Sequence, residues 1–236
     1  MVAERVRVPT PYPCPPTVFV RALSELVAAL PRVPPWDRVT VGMPGMIRAG
    51  RVVATPHYVT EAGPFTPPRA DLVAAWSGFD VAQALGSALG RPILVVNDAE
   101  VQGAAVVSGH GLEVVITLGT GVGCAVFAGG VVAPHLELSQ HPFRKGETYD
   151  VQLGERTRLG VGEVKWNRRV VRMVATLRPV FCFDRLYVGG GGARHVRAAL
   201  GPDVELVPNT AGILGGARRW ELGNGAGGLG GSGGRA

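Results

Sequence analysis

The sequence predicts an α/β protein of two lobes with a cleft between them. Apolar, strand-like runs alternate with helix-spaced segments, the signature of layered α/β architecture. These elements fall into two groups, before and after the run VVND that ends at Asp98. The 236-residue chain is 46% hydrophobic and 18% charged, with a mean hydropathy of +0.20, which excludes a disordered chain. No apolar run approaches the roughly 18 residues of a membrane-spanning helix. The opening stretch lacks the apolar core, about 7–15 residues long, of a secretory signal.

Residues 17–30 space their apolar side chains as a helix does, and Pro34-Pro35 closes the segment. WDRVTVGMPG reads as a short strand entering a turn at Pro44-Gly45, and IRAGRVVATP as a hairpin centred on Gly50. Residues 62–71 carry three prolines and read as loop. Residues 79–89 read as a helix with Asp80 as its N-cap, followed by the buried strand RPILVVND. In the second group a helix is expected over 99–108. The run LEVVITLGTGVGCAVFAGGVV reads as strand, glycine turn, strand, Gly129-Gly130 and a third strand. Residues 139–160 read as polar and irregular. A basic amphipathic helix is expected over 163–179, its apolar face built from Trp166, Val170, Val171 and Val174. DRLYVGGGGARHVRAAL reads as strand, four glycines and helix, and NTAGILGGARRWEL as a last helix of small residues. The expected organisation is residues 1–98, residues 99–222 and a disordered glycine-rich tail over 223–236.

Lys and Arg number 24 against 18 Asp and Glu, a net charge of +6 with a pI near 9.8. Such a field favours anionic partners. The basic residues cluster only at Arg168, Arg169 and Arg172 and at Arg218-Arg219, where solvated helix faces are the ordinary reading. Cys14, Cys124 and Cys182 lie far apart without a CxxC pair. They build neither a disulfide framework nor a cysteine zinc site, so a reducing, cytoplasmic location is expected.

Three motifs carry chemistry. Asn97-Asp98 ends a buried strand, the edge at which α/β sheets place ligands. Asp98 is suited there to take a proton from a substrate hydroxyl, or to cap the following helix. ITLGTGVGCAVF sets Gly119, Gly121 and Gly123 around Thr120 between two strands. Such a turn exposes N–H groups and lets a phosphate approach; it also serves as a plain tight turn. Gly189, Gly190, Gly191 and Gly192 give a flat, side-chain-free surface after a strand.

Taken in order, these motifs resemble the ROK family of sugar kinases and repressors, and within it the bacterial polyphosphate/ATP glucokinase branch. The similarity runs from about residue 4 to 220. VGMPGMIRAGRVV is similar to a sugar-side Pro-Gly turn, and Trp76 and Gly78 to a Trp-x-Gly near the sugar. VVNDAEVQGAA resembles the segment with the family's catalytic base, TLGTGVGCAVFAGGVV the second phosphate loop, and VGGGGARHV with NTAGILGGA the nucleotide-side turn and closing helix.

The resemblance implies an actin-like ATPase (ribonuclease H-like) fold and phosphoryl transfer to the 6-hydroxyl of glucose. Asp98 would be the base and Asn97 a sugar ligand. Glu137 falls on the glutamate of the family's Glu-x-Gly-His, another sugar ligand. Gly119, Thr120, Gly121 and Gly123 would hold the transferring phosphate, and Gly189 to Gly192 would face the donor. Mg²⁺ is implied with ATP or polyphosphate, glucose or a related hexose as acceptor, and a homodimer as the assembly. Neither a nucleic acid nor a membrane partner is expected.

The chain departs from the family pattern in four ways. Its Glu-x-Gly-His reads Glu137-Leu138-Ser139-Gln140 with His141 one place late, so Gln140 or His141 is the further sugar ligand. Tyr58 stands for the asparagine that precedes Trp-x-Gly. The zinc cluster of the wider family is missing, as in the glucokinase branch, so no protein metal site is expected. The family's Asp-x-Gly-Gly-[Ser/Thr] loop lies upstream of the match, leaving the N-terminal lobe incomplete. An in-frame extension of about 20–30 residues carrying that loop is therefore expected before Met1, the length of two strands with turns. The altered motif and the missing loop also define the alternative: a catalytically silent homologue that binds sugar or an anion without turnover.

Overall fold

The computed structural model describes residues 6–30, 36–63, 66–208 and 211–223. The chain divides after Asp98 into two units, Met1–Asp98 and Ala99–Ala236.

The first unit opens with α1 (Pro16–Ala28), whose first helical residue is a proline, a position where no N–H is required. Strand β1 (Val39–Met43) leads into the antiparallel hairpin β2 (Met46–Arg48) and β3 (Arg51–Ala54), as the Gly50 turn predicts. Residues 62–71 do not stay loop throughout: α2 (Ala70–Trp76) begins within them, burying Leu72 and Trp76 one turn apart on one face. Helix α3 (Val81–Leu89) has Asp80 as its N-cap, accepting the Gln83 N–H at 2.8 Å. Strand β4 (Ile93–Asn97) pairs with β1 in parallel, Met43 opposite Asn97. An aromatic group sits within a mostly aliphatic core. Phe19, Tyr58 and Trp76 form a triangle with centroids 5.0–5.4 Å apart, and the buried Trp76 donates its indole N–H to the Cys14 carbonyl at 2.8 Å.

Helix α4 (Asp98–Val106) follows β4 with no intervening residue. The strands after it are β5 (Leu112–Leu118), β6 (Val122–Ala128) and β7 (Val131–Val132), then the small hairpin β8 (Pro142–Arg144) and β9 (Glu147–Thr148). Helices α5 (Tyr149–Leu153), α6 (Glu155–Val161) and α7 (Glu163–Phe181) come next. Strands β10 (Arg185–Gly189) and β11 (Val204–Leu206) and helix α8 (Ala211–Gly223) complete the described chain. Five strands form one sheet in the order β11-β10-β5-β6-β7; β5, β10 and β11 run parallel, and β6 and β7 return antiparallel.

The period-2 alternation of β5 divides the second unit's core. Val114, Ile116 and Leu118 cluster with Trp166, Val170, Met173, Val174 and Leu177 of α7. Val115 clusters instead with Ala99 and Ala104 of α4, Phe127 and Tyr187. Helix α8 lies directly on α4: a Cβ at Gly215 would stand 1.7 Å from the Val101 carbonyl oxygen, so only glycine permits that approach.

Four expectations are corrected here. Val171 is 41% exposed, one step off the buried Trp166–Val170–Val174 stripe. Residues 139–160 are structured, with a hairpin and two short helices; Thr148 starts α5 by accepting the Val151 N–H. The helix expected after the four glycines shrinks to one 3₁₀ turn, Ala193–His195. The Asn167 side-chain oxygen takes the N–H groups of Arg197 and Ala198, offering that backbone an alternative to helical bonding. Strand β11 was not anticipated. Residues 224–236, most of the expected tail, lie outside the described residues. All three cysteines are free, and among the described residues no helix is long and apolar enough to cross a membrane.

Candidate active site

Asn97 and Asp98 have different environments although they are adjacent. Asn97, the last residue of β4, is buried and donates its side-chain N–H to the Gly45 carbonyl at 2.8 Å, fastening the strand end to the Pro44-Gly45 turn. Asp98 is exposed and opens α4, so its carboxylate lies in the first helical turn, where the helix dipole favours negative charge. Burial pushes the Tyr58 hydroxyl far above its usual range; Cys14, Tyr12 and the Asp98 charge push the same way. Trp76 is a core residue with its N–H already bonded, and Gly78 turns the chain at φ +72° while its own N–H bonds Val52.

The second unit supplies backbone groups. Between β5 and β6 the Gly119 N–H bonds the Gly121 carbonyl at 2.9 Å, and the Gly119 carbonyl accepts the Glu155 N–H at 2.9 Å. The Asp150 carboxylate accepts the Val122 N–H at 2.7 Å. Among the described residues no hydrogen bond engages the N–H of Thr120 or Gly121, and Thr120 is exposed at the tip. The four-glycine turn sits against this hairpin: Gly189 lies opposite Thr117 across the parallel β5–β10 pair, and the Gly192 N–H bonds the Leu118 carbonyl at 2.7 Å. Gly190 has φ +80°, and a Cβ there would meet the Leu118 oxygen at 2.4 Å. Gly191 is exposed beside it. The structure thus brings Gly119–Gly123 and Gly189–Gly192 together as one rim with amide groups at its edge.

Glu137 anchors a second cluster of the same unit. Its Oε1 accepts the Ser139 hydroxyl at 2.5 Å, and the Gln140 side chain donates to the Ser139 oxygen at 3.2 Å. Its Oε2 lies 3.3 Å from Nε2 of His135. Burial alone would raise the Glu137 pKa, but the bonds from His135 and Ser139 outweigh it and hold the carboxyl below its ordinary range. Gln140 therefore belongs to the Glu137 cluster. His141 does not: it is exposed, and its Nδ1 faces the Pro142 carbonyl at 2.9 Å.

Sequence reading missed His135, Glu100, Ser139 and Asp150 as members of these clusters. The available signal was short-range: Glu100 lies two residues after Asp98, and His135 two residues before Glu137. No group of three His, Cys, Asp or Glu side chains able to hold a metal ion occurs among the described residues.

Comparison with known proteins places the chain among sugar-kinase relatives. The chain is 27% identical over 238 residues to a polyphosphate glucokinase of Mycobacterium tuberculosis, covering 92% of this chain and 81% of that protein. A Mycobacterium leprae polyphosphate glucokinase is 25% identical over 241 residues, 92% of this chain and 66% of the relative. Among solved structures, the inorganic polyphosphate/ATP-glucomannokinase of Arthrobacter sp. strain KM superposes with a TM-score of 0.74 at 28% identity, covering 95% of this chain and 90% of that one. A ROK family glucokinase from Streptomyces griseus, in complex with glucose and AMPPNP, shares the fold at a TM-score of 0.63 and 17% identity, covering 89% of each chain. The ROK family model matches residues 1–134, more than half of the sequence, and the chain belongs to the ROK family.

Proposed function

We propose that this protein transfers a phosphoryl group from polyphosphate or ATP to the 6-hydroxyl of glucose. The observation that carries the reading is the amide-edged rim formed where the four-glycine turn is bonded to the Gly119–Gly123 hairpin. It accompanies a strand-end carboxylate at Asp98 and the hydroxyl-binding set Glu137, Ser139 and Gln140. Phosphoryl transfer asks mainly for positioning, charge neutralisation and a base, and these residue types supply them.

In this reading Asp98 accepts the proton of the 6-hydroxyl as its oxygen bonds to the terminal phosphorus of the donor. The departing oxygen stays with ADP or with a polyphosphate one unit shorter. Asn97 and Glu137 hold sugar hydroxyls. Gln140 is the better further ligand, since its amide already joins the Glu137 cluster while His141 is turned to Pro142. The N–H groups of Thr120 and Gly121 and the Thr120 hydroxyl suit phosphate oxygens, and Gly190 to Gly192 suit the donor, because no side chain blocks the approach. These groups fit a phosphate chain. Mg²⁺ bound to that chain would neutralise its charge. The donor is left as two compounds because the relatives named above include both polyphosphate and polyphosphate/ATP kinases.

The test is glucose 6-phosphate formation by the purified chain with each donor, beside calorimetry of glucose binding. Asp98→Asn is expected to lower turnover by about 10²–10⁴-fold, the usual worth of a general base, with glucose affinity retained. Glucose binding without turnover from either donor would replace this reading with the silent homologue. Turnover of Asp98→Asn at the parent rate would remove Asp98 as the base.

A further inference from the structure

His135 has two carboxylates and almost no water. Its side chain is 6% exposed and lies between Glu137, 3.3 Å from Nε2, and Glu100 of α4, 3.6 Å from Nδ1. The Glu100 side chain is itself only 8% exposed. A neutral imidazole would offer a single N–H to the buried Glu100 and the partly exposed Glu137 carboxylates, leaving one of them facing a bare ring nitrogen. With an imidazolium the Nε2 N–H meets Glu137 at 3.3 Å, and the buried Nδ1 N–H, which has no hydrogen-bond partner, lies 3.6 Å from the Glu100 carboxylate.

We propose that His135 is a positioning residue for the sugar: as an imidazolium it fixes the Glu137 carboxylate from one side while Ser139 fixes it from the other. This inference rests on the reading of Glu137 as a sugar ligand. The imidazolium leaves Glu137 ionised and oriented, with unused lone pairs for hydroxyl donors, and links it to the first turn of α4 through Glu100. No substrate contact of its own is required of His135.

The surrounding charges favour that state. Glu100 first, then Glu137, hold the imidazole pKa up to about 9 against the burial that would lower it. The other titratable groups facing the cluster are Arg219 of α8, on which the Glu100 charge acts, and Cys124 of β6, whose buried thiol is pushed up to about 12 with Glu137 contributing. Sugar binding is at full strength below the imidazole pKa and weakens as pH rises through about 9, before the thiol ionises.

Calorimetric titration of glucose into the full chain between pH 7 and pH 10.5 tests this, using the parent, His135→Gln and Glu137→Gln. The parent should lose affinity above pH 9. His135→Gln should bind more weakly at pH 7 by about 10–100-fold, the worth of a hydrogen bond to a charged group, and its affinity should no longer change across the alkaline range. In the kinase assay KM should rise while kcat moves little. A parent profile flat to pH 10.5 overturns the proposal even if His135→Gln fails to fold. So does a His135→Gln protein with parental affinity while Glu137→Gln is impaired; that pattern leaves the sugar-ligand reading standing. Parental affinity in Glu137→Gln, or no heat with glucose in the parent at pH 7, overturns that reading and this inference with it.

Discussion

Each unit is centred on a tryptophan, Trp76 in the first and Trp166 in the second. Both are 1% exposed and both donate the indole N–H to a backbone carbonyl at 2.8 Å. Trp76 reaches Cys14, 62 residues away, whereas Trp166 reaches Leu153, only 13 away. The difference matches the sheets. The first unit has a parallel pair and two hairpin strands, and it joins distant segments with side chains. The second has five strands in register and a 19-residue helix, so its long-range side-chain bonds, such as Tyr187 to Glu113 across 74 positions, add to a backbone ladder.

Truncating either tryptophan is expected to have the largest effect. Trp76→Ala and Trp166→Ala should each cost about 3–5 kcal/mol, the range for large aromatic side chains removed from a core. Their hydrogen-exchange maps should differ. Trp76→Ala should lose protection across the first unit, including β1 and β4, because Cys14, Phe19 and Tyr58 lose their common partner. Trp166→Ala should lose it mainly over α5 to α7, with β5 and β6 still protected. Equal spreading in both variants would show that the ladder does not buffer the second unit.

Gly190→Ala comes next and probes the backbone side of the contrast. The residue would hold φ +80° with a Cβ 2.4 Å from the Leu118 oxygen, so a loss of about 2–4 kcal/mol is expected from left-handed strain plus displacement of the turn. Donor binding should fall with it. An Ala variant of parental melting temperature and donor affinity would mean that the two glycine turns need not touch.

How legible these features were from sequence depends on the range of the interactions that make them. The strand end at Asn97-Asp98, the GTG hairpin and the Asp80 cap are written in consecutive residues, by an apolar run, by glycines and by an Asx N-cap. Helix α2 was hidden by the prolines before it, and β11 by its exposed, three-residue pattern. The helix expected after Gly192 failed because Asn167, about 30 residues earlier, takes its N–H groups. Likewise the pairing of Glu100 with His135 spans 35 positions, and neither residue alone carries a periodic signal.

Glu113 offers a milder test, through pH. Fully buried on β5, it accepts the N–H groups of Ser108 and Gly109 at 2.7 and 2.8 Å and the Tyr187 hydroxyl at 2.9 Å. Burial pushes its pKa up, but those bonds outweigh burial and hold it below 4.5. A depressed folded-state pKa stabilises the protein above the unfolded value, and that stability drains away as pH falls below 4.5 through the folded value. Glu113→Gln places an amide among donors and should cost about 1–3 kcal/mol at pH 7. The parent should lose its margin over the variant in acid. A margin unchanged down to pH 2 would mean that the Glu113 carboxyl titrates alike in the folded and unfolded chain.

The smallest effect expected concerns the helix caps, and it separates two contributions at one residue. Asp80 caps α3 through the Gln83 N–H, and its other oxygen meets Arg51 at 2.7 Å. Asp80→Ala removes both and should cost about 1 kcal/mol, within the 0.5–2 range of lost N-caps. Asp80→Asn keeps an oxygen for the cap but gives up the charge. Because the Arg51 side chain is 58% exposed, the ion pair is worth about 0–1 kcal/mol, so the asparagine variant should lose less than half of what alanine loses. Arg51→Ala should resemble it. In the second unit Thr148 caps α5, a helix of only five residues, across 3.3 Å. Thr148→Ala is expected to cost less than Asp80→Ala, because its bond is longer, the helix it starts is shorter and no ion pair accompanies it. Thermal melts of the four variants decide it. Equal losses for alanine and asparagine at position 80 would assign the stabilisation to the ion pair, and a Thr148→Ala loss above that of Asp80→Ala would reverse the contrast between the units.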